Sequence, residues 1–102
     1  MGFKVFLSGA ALSDLEAIVS YIAPHDPQAA TRFGTNLLNE AMALKTFPER
    51  GRSVPEFSSA DLREIVFLSY RIVYRIQRGS KAVEILRFWH AARGFPELEQ
   101  VD

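Results

Sequence analysis

Tyr70-Arg71-Ile72-Val73-Tyr74-Arg75-Ile76-Gln77 alternates without interruption. In an extended chain Tyr70, Ile72, Tyr74 and Ile76 project to one side, and Arg71, Val73, Arg75 and Gln77 to the other. Such a strand needs a cover for its apolar side and neighbours for its backbone. Arg78-Gly79-Ser80-Lys81 follows, with a glycine-first pair suited to a tight hairpin, and returns the chain into Ala82–His90. There Val83, Ile85 and Trp89 alternate with Leu86 and Phe88, so both faces are partly apolar, which predicts a strand covered on two sides near the middle of the sheet. Leu62 to Phe67 reads as a third strand of the same antiparallel sheet.

Upstream the period changes. Leu15, Ile18, Val19 and Ile22 fall at helical spacing from about Ala10 to Ala23, with Ser8, or Ser13 with Glu16, marking the start and Pro24 the stop. Asp26-Pro27 begins a second helix, an N-cap followed by proline at the first helical position. Its stripe runs through Ala30, Phe33, Leu37, Leu38, Ala41, Leu44 and Phe47 to Pro48. The short link predicts an antiparallel helical hairpin, with Leu15 and Phe33 at the centres of the two buried stripes. Phe3 to Leu7 reads as an N-terminal strand, and Glu49 to Ala60, with Gly51, Pro55 and Ser58-Ser59, as a connection. The order β-α-α-β-β-β predicts one α+β domain over residues 1–102, the hairpin packed on one face of an antiparallel sheet. The other face, carrying arginines and aromatics, is expected to be either a solvated polar surface or a docking surface.

Composition narrows the function. No apolar run or leader-like N-terminus suggests a membrane span or secretion, so a cytoplasmic protein is expected. With no cysteine and two histidines, His25 and His90, neither a metal nor another cofactor is expected. The zero net charge hides an asymmetry. Residues 1–49 carry three basic against five acidic side chains, residues 50–93 nine against four, and Glu97, Glu99 and Asp102 make an acidic tail. The arginine-rich part can meet an acidic protein segment or a phosphate backbone, and charge alone does not choose.

Phosphate loops, zinc-protease motifs, nucleophile elbows and paired carboxylates are missing. His90 can serve as a general acid or base at a strand end, or simply complete a hydrogen bond or pack beside Trp89. Arg71 and Arg93 can stabilise charge on a phosphodiester, or be ion-paired surface arginines. Trp89 can stack on a base or anchor a partner, or belong to the core.

Six ordered pieces carry a family resemblance. They are Asp14-Leu15-x-x-Ile18-x-x-Tyr21-Ile22, Asp26-Pro27-x-Ala29-Ala30-x-Arg32-Phe33, Phe47-Pro48-x-x-Gly51-Arg52-x-Val54-Pro55-Glu56, Leu62-Arg63-Glu64, Tyr70 to Ile76, and His90-x-x-Arg93. In this order, across nearly the whole chain, they resemble the RelE/ParE superfamily of type II toxin–antitoxin toxins, and the ParE branch more closely. The resemblance implies a toxin, associated with plasmid stabilisation and growth arrest, that a cognate antitoxin neutralises. It leaves a toxin homodimer and a toxin–antitoxin heterotetramer both open. ParE-like members inhibit DNA gyrase without established hydrolytic chemistry of their own, whereas RelE-like members cut mRNA on the ribosome. A degenerate, non-toxic member is the third alternative. If RelE-like, the implied catalytic residues are Arg71, His90 and Arg93. The surface expected to bind antitoxin or target is Arg52, Arg63, Arg71, Arg75, Arg87 and Trp89. The lysines of RelE-like nucleases are replaced by Leu62 and Glu64, and a glutamate there is expected to repel RNA phosphates, which favours gyrase as target.

Overall fold

The computed structural model describes residues 2–57, 59–94, 96 and 98; Ser58 of the connection and the acidic tail residues Glu97, Glu99 and Asp102 lie outside them. The elements are β1 (Lys4–Leu7), α1 (Gly9–Ile22), α2 (Pro27–Met42), β2 (Arg52–Ser53), β3 (Leu62–Phe67), β4 (Tyr70–Gln77) and β5 (Ala82–His90). Short 3-10 turns lie at Ala43–Lys45, Pro48–Arg50 and Ala91–Arg93. The α+β architecture is the expected one, with two differences. A two-residue strand, β2, forms inside the connection, and the sheet, ordered β1-β5-β4-β3-β2, is mixed because β1 pairs parallel to β5. A parallel neighbour requires a long crossover, and nearly the whole chain separates these two strands.

Ser8 starts α1: its Oγ accepts from Ala11 N (3.0 Å) and donates to Leu86 O (3.1 Å), joining the cap to β5. Asp26 caps α2 by accepting from Ala29 N (3.1 Å), with Pro27 next. The helices approach closely at Gly34, where a Cβ would lie 2.9 Å from Val19 Cγ2. Helix α1 travels past the end of β1 toward the His90 end of β5, and α2 returns to the Phe3 end, where Phe3 N donates to Lys45 O at 2.8 Å. Beyond the end of β1 the edge of β5 would be open. Asp14 closes it, accepting from Phe88 N (3.1 Å) and from Arg87 Nε (2.6 Å) and Nη2 (2.8 Å).

The main core lies between hairpin and sheet, around Leu37, Ala41, Leu44, Ile72, Tyr74, Val83, Ile85 and Phe88. Leu15 and Phe33 are only partly buried at its margin, so they do not mark its centre. The opposite face is covered in part from within the chain. Val54, Leu62 and Val73 form a second buried cluster there, with Phe57, Leu86 and Leu98 packed against it. The connection, together with Pro96 and Leu98, therefore covers part of the second face, and Pro96 is fully buried.

A β-bulge decides what stands on each face. Val73 pairs with Arg87 but Tyr74 pairs with Ile85, leaving Leu86 as the extra residue. One inserted residue reverses the alternation beyond it. Phe88 thus joins Ile85 in the main core, and Trp89 passes to the second face opposite Arg71, the reverse of what unbroken alternation predicts.

Tyr74 fastens the connection to the sheet: its hydroxyl donates to Pro48 O (2.6 Å) and accepts from Gly51 N (2.9 Å). A Cβ on Gly51 would lie 2.5 Å from Glu64 O and 2.6 Å from the Tyr74 hydroxyl. Since one obstacle is strand backbone, Gly51→Ala is expected to cost about 1–3 kcal/mol through overpacking. A denaturant midpoint equal to that of the parent would show that the connection does not pack this closely.

Candidate functional site

The β3–β4 hairpin turns through Leu68 and Ser69, with Leu68 at φ 55°, and so brings Glu64 and Arg71 together on the second face. Glu64 is fully buried, its carboxylate held by Arg71 Nε on one oxygen (2.6 Å) and by Arg52 on the other (2.6 Å to Nη2, 2.7 Å to Nε). Arg71, 7% exposed, also donates from Nη2 and Nη1 to Glu56 (2.9 and 3.4 Å) and from Nη1 to Gly94 O (3.0 Å). One guanidinium thus binds β3, the connection and the C-terminal segment. Desolvation opposes its charge, but the hydrogen bonds it donates to Glu56 and Glu64 outweigh that and hold its pKa above the ordinary value.

The same hydrogen bond from Arg71 holds the Glu56 carboxyl below its usual pKa, against a smaller opposing effect of burial. A folded-state pKa below the unfolded one contributes stability above the unfolded value, which is lost as pH falls through the folded value. Glu56→Gln is therefore expected to be less stable than the parent at neutral pH and to converge with it in acid, below the ordinary carboxylate range. Thermal midpoints measured across pH check this, and a constant gap would exclude the Glu56–Arg71 pair as its cause.

Arg71 and His90 leave the sheet on opposite faces. Tyr70 and His90 are cross-strand partners on the helix side, their rings 5.1 Å apart and edge-on, with Phe33 beyond, also edge-on, at 5.6 Å from Tyr70. His90 Nδ1 accepts from Ala92 N (3.2 Å), capping the last 3-10 turn, so the ring completes a hydrogen bond but packs on Tyr70 rather than on Trp89. Burial raises the Tyr70 phenol pKa while the nearby Arg93 pulls it back. Arg93 itself lies over the Trp89 ring at 4.0 Å from the centroid, and Arg87 at 4.7 Å. The proposed catalytic residues do not converge on one point: Arg71 is closed inside an ion-pair network, Arg93 covers the indole, and His90 faces α2.

The remaining arginines of the expected binding surface are also largely engaged within the chain. Arg63 donates to Ala60 O (2.8 Å) and Gly51 O (2.8 Å), bracing the connection. Arg75 is half-buried opposite Glu84, Arg87 is tied to Asp14, and Arg52 to Glu64. The basic half of the sequence is therefore substantially neutralised from within. Glu64 is enclosed by two guanidinia and does not confront a ligand, so the expected repulsion of RNA has no physical basis; the missing lysines at 62 and 64 remain. Sequence reasoning overlooked Glu56 and Glu64 as site residues. The available signal was a carboxylate in the apolar run Leu62-Arg63-Glu64-Ile65, a position that tolerates charge only when paired.

A family model described as the ParE toxin of the type II toxin-antitoxin system, parDE, matches residues 5–95. The chain is 43% identical over 84 residues to Toxin RelE2 of Caulobacter vibrioides, covering 81% of this chain and 89% of that one. It is 34% identical over 94 residues to Toxin RelE1 of the same organism, covering 88% and 95%. In fold it is similar to a chain of the chromosomal ParDE system from P. aeruginosa, with TM-score 0.72 at 18% identity over 86% of this chain and 95% of that one. A chain of the RelBE2 toxin–antitoxin complex from Mycobacterium tuberculosis gives TM-score 0.66 at 22% identity over 88% and 99%. With the family model spanning both helices and all five strands, the chain belongs to the ParE toxin family of type II toxin–antitoxin systems, within the RelE/ParE superfamily.

Proposed function

We propose that this toxin inhibits DNA gyrase by binding, without RNA-cleaving chemistry, and that a cognate antitoxin holds it inactive in the cytoplasm. The observation carrying this reading is the closure of Arg71 on Glu64 and Glu56, on the face of the sheet opposite His90. A nuclease of this size needs cations aimed at the scissile phosphate and a proton-transfer group within hydrogen-bond reach of it. Here the cation is neutralised by two carboxylates, no lysine stands at 62 or 64, and the histidine ring caps its own chain. The second reading, mRNA cleavage on the ribosome, is favoured by the RelE names of the Caulobacter relatives.

Induction without antitoxin separates the two readings. A gyrase poison is expected to give filamentous cells and DNA-damage signalling while translation continues at first. Collapse of protein synthesis within minutes, with mRNAs cut in the ribosomal A site, would instead establish the nuclease. Co-expression with the antitoxin is expected to restore growth and yield a stable complex, and two proteins that elute separately at micromolar concentration would refute the pairing.

A further inference from the structure

The stretches ending in Tyr21-Ile22 and in Arg32-Phe33 meet at the linked end of the helical hairpin. Ile22, the last residue of α1, and Ala29, Arg32, Phe33 and Asn36 of α2 line a surface pocket of about 280 Å3. The four α2 residues fall at i, i+3, i+4 and i+7, so they form one stripe of the helix. The pocket is preformed. Its floor is held by Phe33, whose ring lies 5.6 Å from Tyr70 and 6.5 Å from Phe67, and its width by the close approach of Gly34 to Val19.

Arg32 stands exposed at this pocket, and its guanidinium makes no ion pair, hydrogen bond or ring contact among the described residues; nor does the Asn36 amide hydrogen-bond to any of them. The helix itself supplies no partner. Three and four residues from Arg32 stand Gln28, Ala29, Thr35 and Asn36, none of them a carboxylate. By contrast Arg50, Arg52, Arg63, Arg71, Arg78 and Arg87 are each tied to a carboxylate or carbonyl of the chain.

We propose that this pocket is the contact through which the toxin grips gyrase protein, taking a carboxylate on Arg32 and Asn36 and a neighbouring apolar side chain over Ile22 and Phe33. The proposal rests on gyrase as the target. A toxin that acts by binding alone needs surface groups whose charge and hydrogen-bonding capacity is not already spent within the chain, and Arg32 beside an apolar floor is such a group. A DNA phosphate would satisfy the guanidinium but leave Ile22, Ala29 and Phe33 wet, whereas a protein segment covers both.

Arg32→Glu and Arg32→Ala are compared with the parent in a reaction of gyrase, ATP and supercoiled plasmid, with Lys81→Glu, the same charge reversal in the exposed β4–β5 turn, as control. Arg32→Glu is expected to need at least about tenfold more toxin than the parent for half-maximal accumulation of cleaved complexes, because it sets like charges against each other. Arg32→Ala should need an intermediate amount, and Lys81→Glu the same as the parent. Thermal midpoints and the complex with antitoxin are expected to be unchanged, since the Arg32 side chain holds nothing in the fold. Parent-like action of Arg32→Glu on gyrase, or an equal loss in Lys81→Glu, would overturn the proposal. So would loss of antitoxin binding in Arg32→Glu with gyrase action retained, or a gel shift of plasmid by the parent alone that Arg32→Glu abolishes, the mark of a DNA contact. A parent protein inactive on gyrase would remove the target itself, and this contact with it.

Discussion

Arg71→Ala should destabilise the protein by about 3 kcal/mol, because it strips one of the two guanidinium partners from a buried carboxylate and leaves that charge only partly compensated. Glu64 loses its 2.6 Å bond to Arg71 Nε and keeps only Arg52, while the connection loses its bond through Glu56 and the C-terminal segment its bond through Gly94 O. The loss is a large fraction of the whole stability of a small domain, about 5–15 kcal/mol. Were Arg71 a solvent-facing ligand for phosphate, alanine would cost within roughly 0.5 kcal/mol. Denaturant unfolding decides between these values. Arg71→Met combined with Glu64→Leu removes both charges and is expected to recover most of the loss, since apolar pairs commonly replace buried ion pairs without penalty. It follows that loss of toxicity in Arg71→Ala is first a matter of folding, and an assay of activity on that variant needs its folded fraction beside it.

Leu37→Ala is expected to cost about 2–5 kcal/mol by opening a cavity between α2 and the sheet. Leu37 is 0% exposed and belongs to the cluster containing Tyr74, Ile85 and Leu44. Leu15→Ala should fall below that range, because Leu15 lies at the rim, where solvent and neighbouring side chains can relax into the space. Equal midpoints for the two variants would place the core centre elsewhere.

The helical hairpin was legible because its signals are local. Pro24, and Asp26 followed by Pro27, punctuate the chain whatever the tertiary structure does, so α1 begins and ends and α2 begins close to the expected positions, whereas α2 stops at Met42, short of the expected end at Pro48, and passes into the 3-10 turn Ala43–Lys45. Strand β4 was legible for the same reason. The bulge at Leu86 was not, since an inserted residue in a run apolar on both faces leaves no break in the pattern, and it alone moves Trp89 beside Arg71. Strand β2, only two residues long, has too few positions to show a period. The closed state of the arginines was hidden because their partners are distant: Glu56 is 15 residues from Arg71, and Asp14 is 73 from Arg87. Composition counted those charges but could not pair them.

The proposed action on gyrase by binding, and not on mRNA by cleavage, is decided with the purified protein in two parallel reactions. One holds gyrase, ATP and supercoiled plasmid; the other holds ribosomes programmed with a defined mRNA. The expected result is accumulation of cleaved gyrase–DNA complexes in the first and intact mRNA in the second. Ribosome-dependent cleavage of the mRNA, abolished by His90→Ala in a variant that remains folded, with no effect on gyrase, would contradict it.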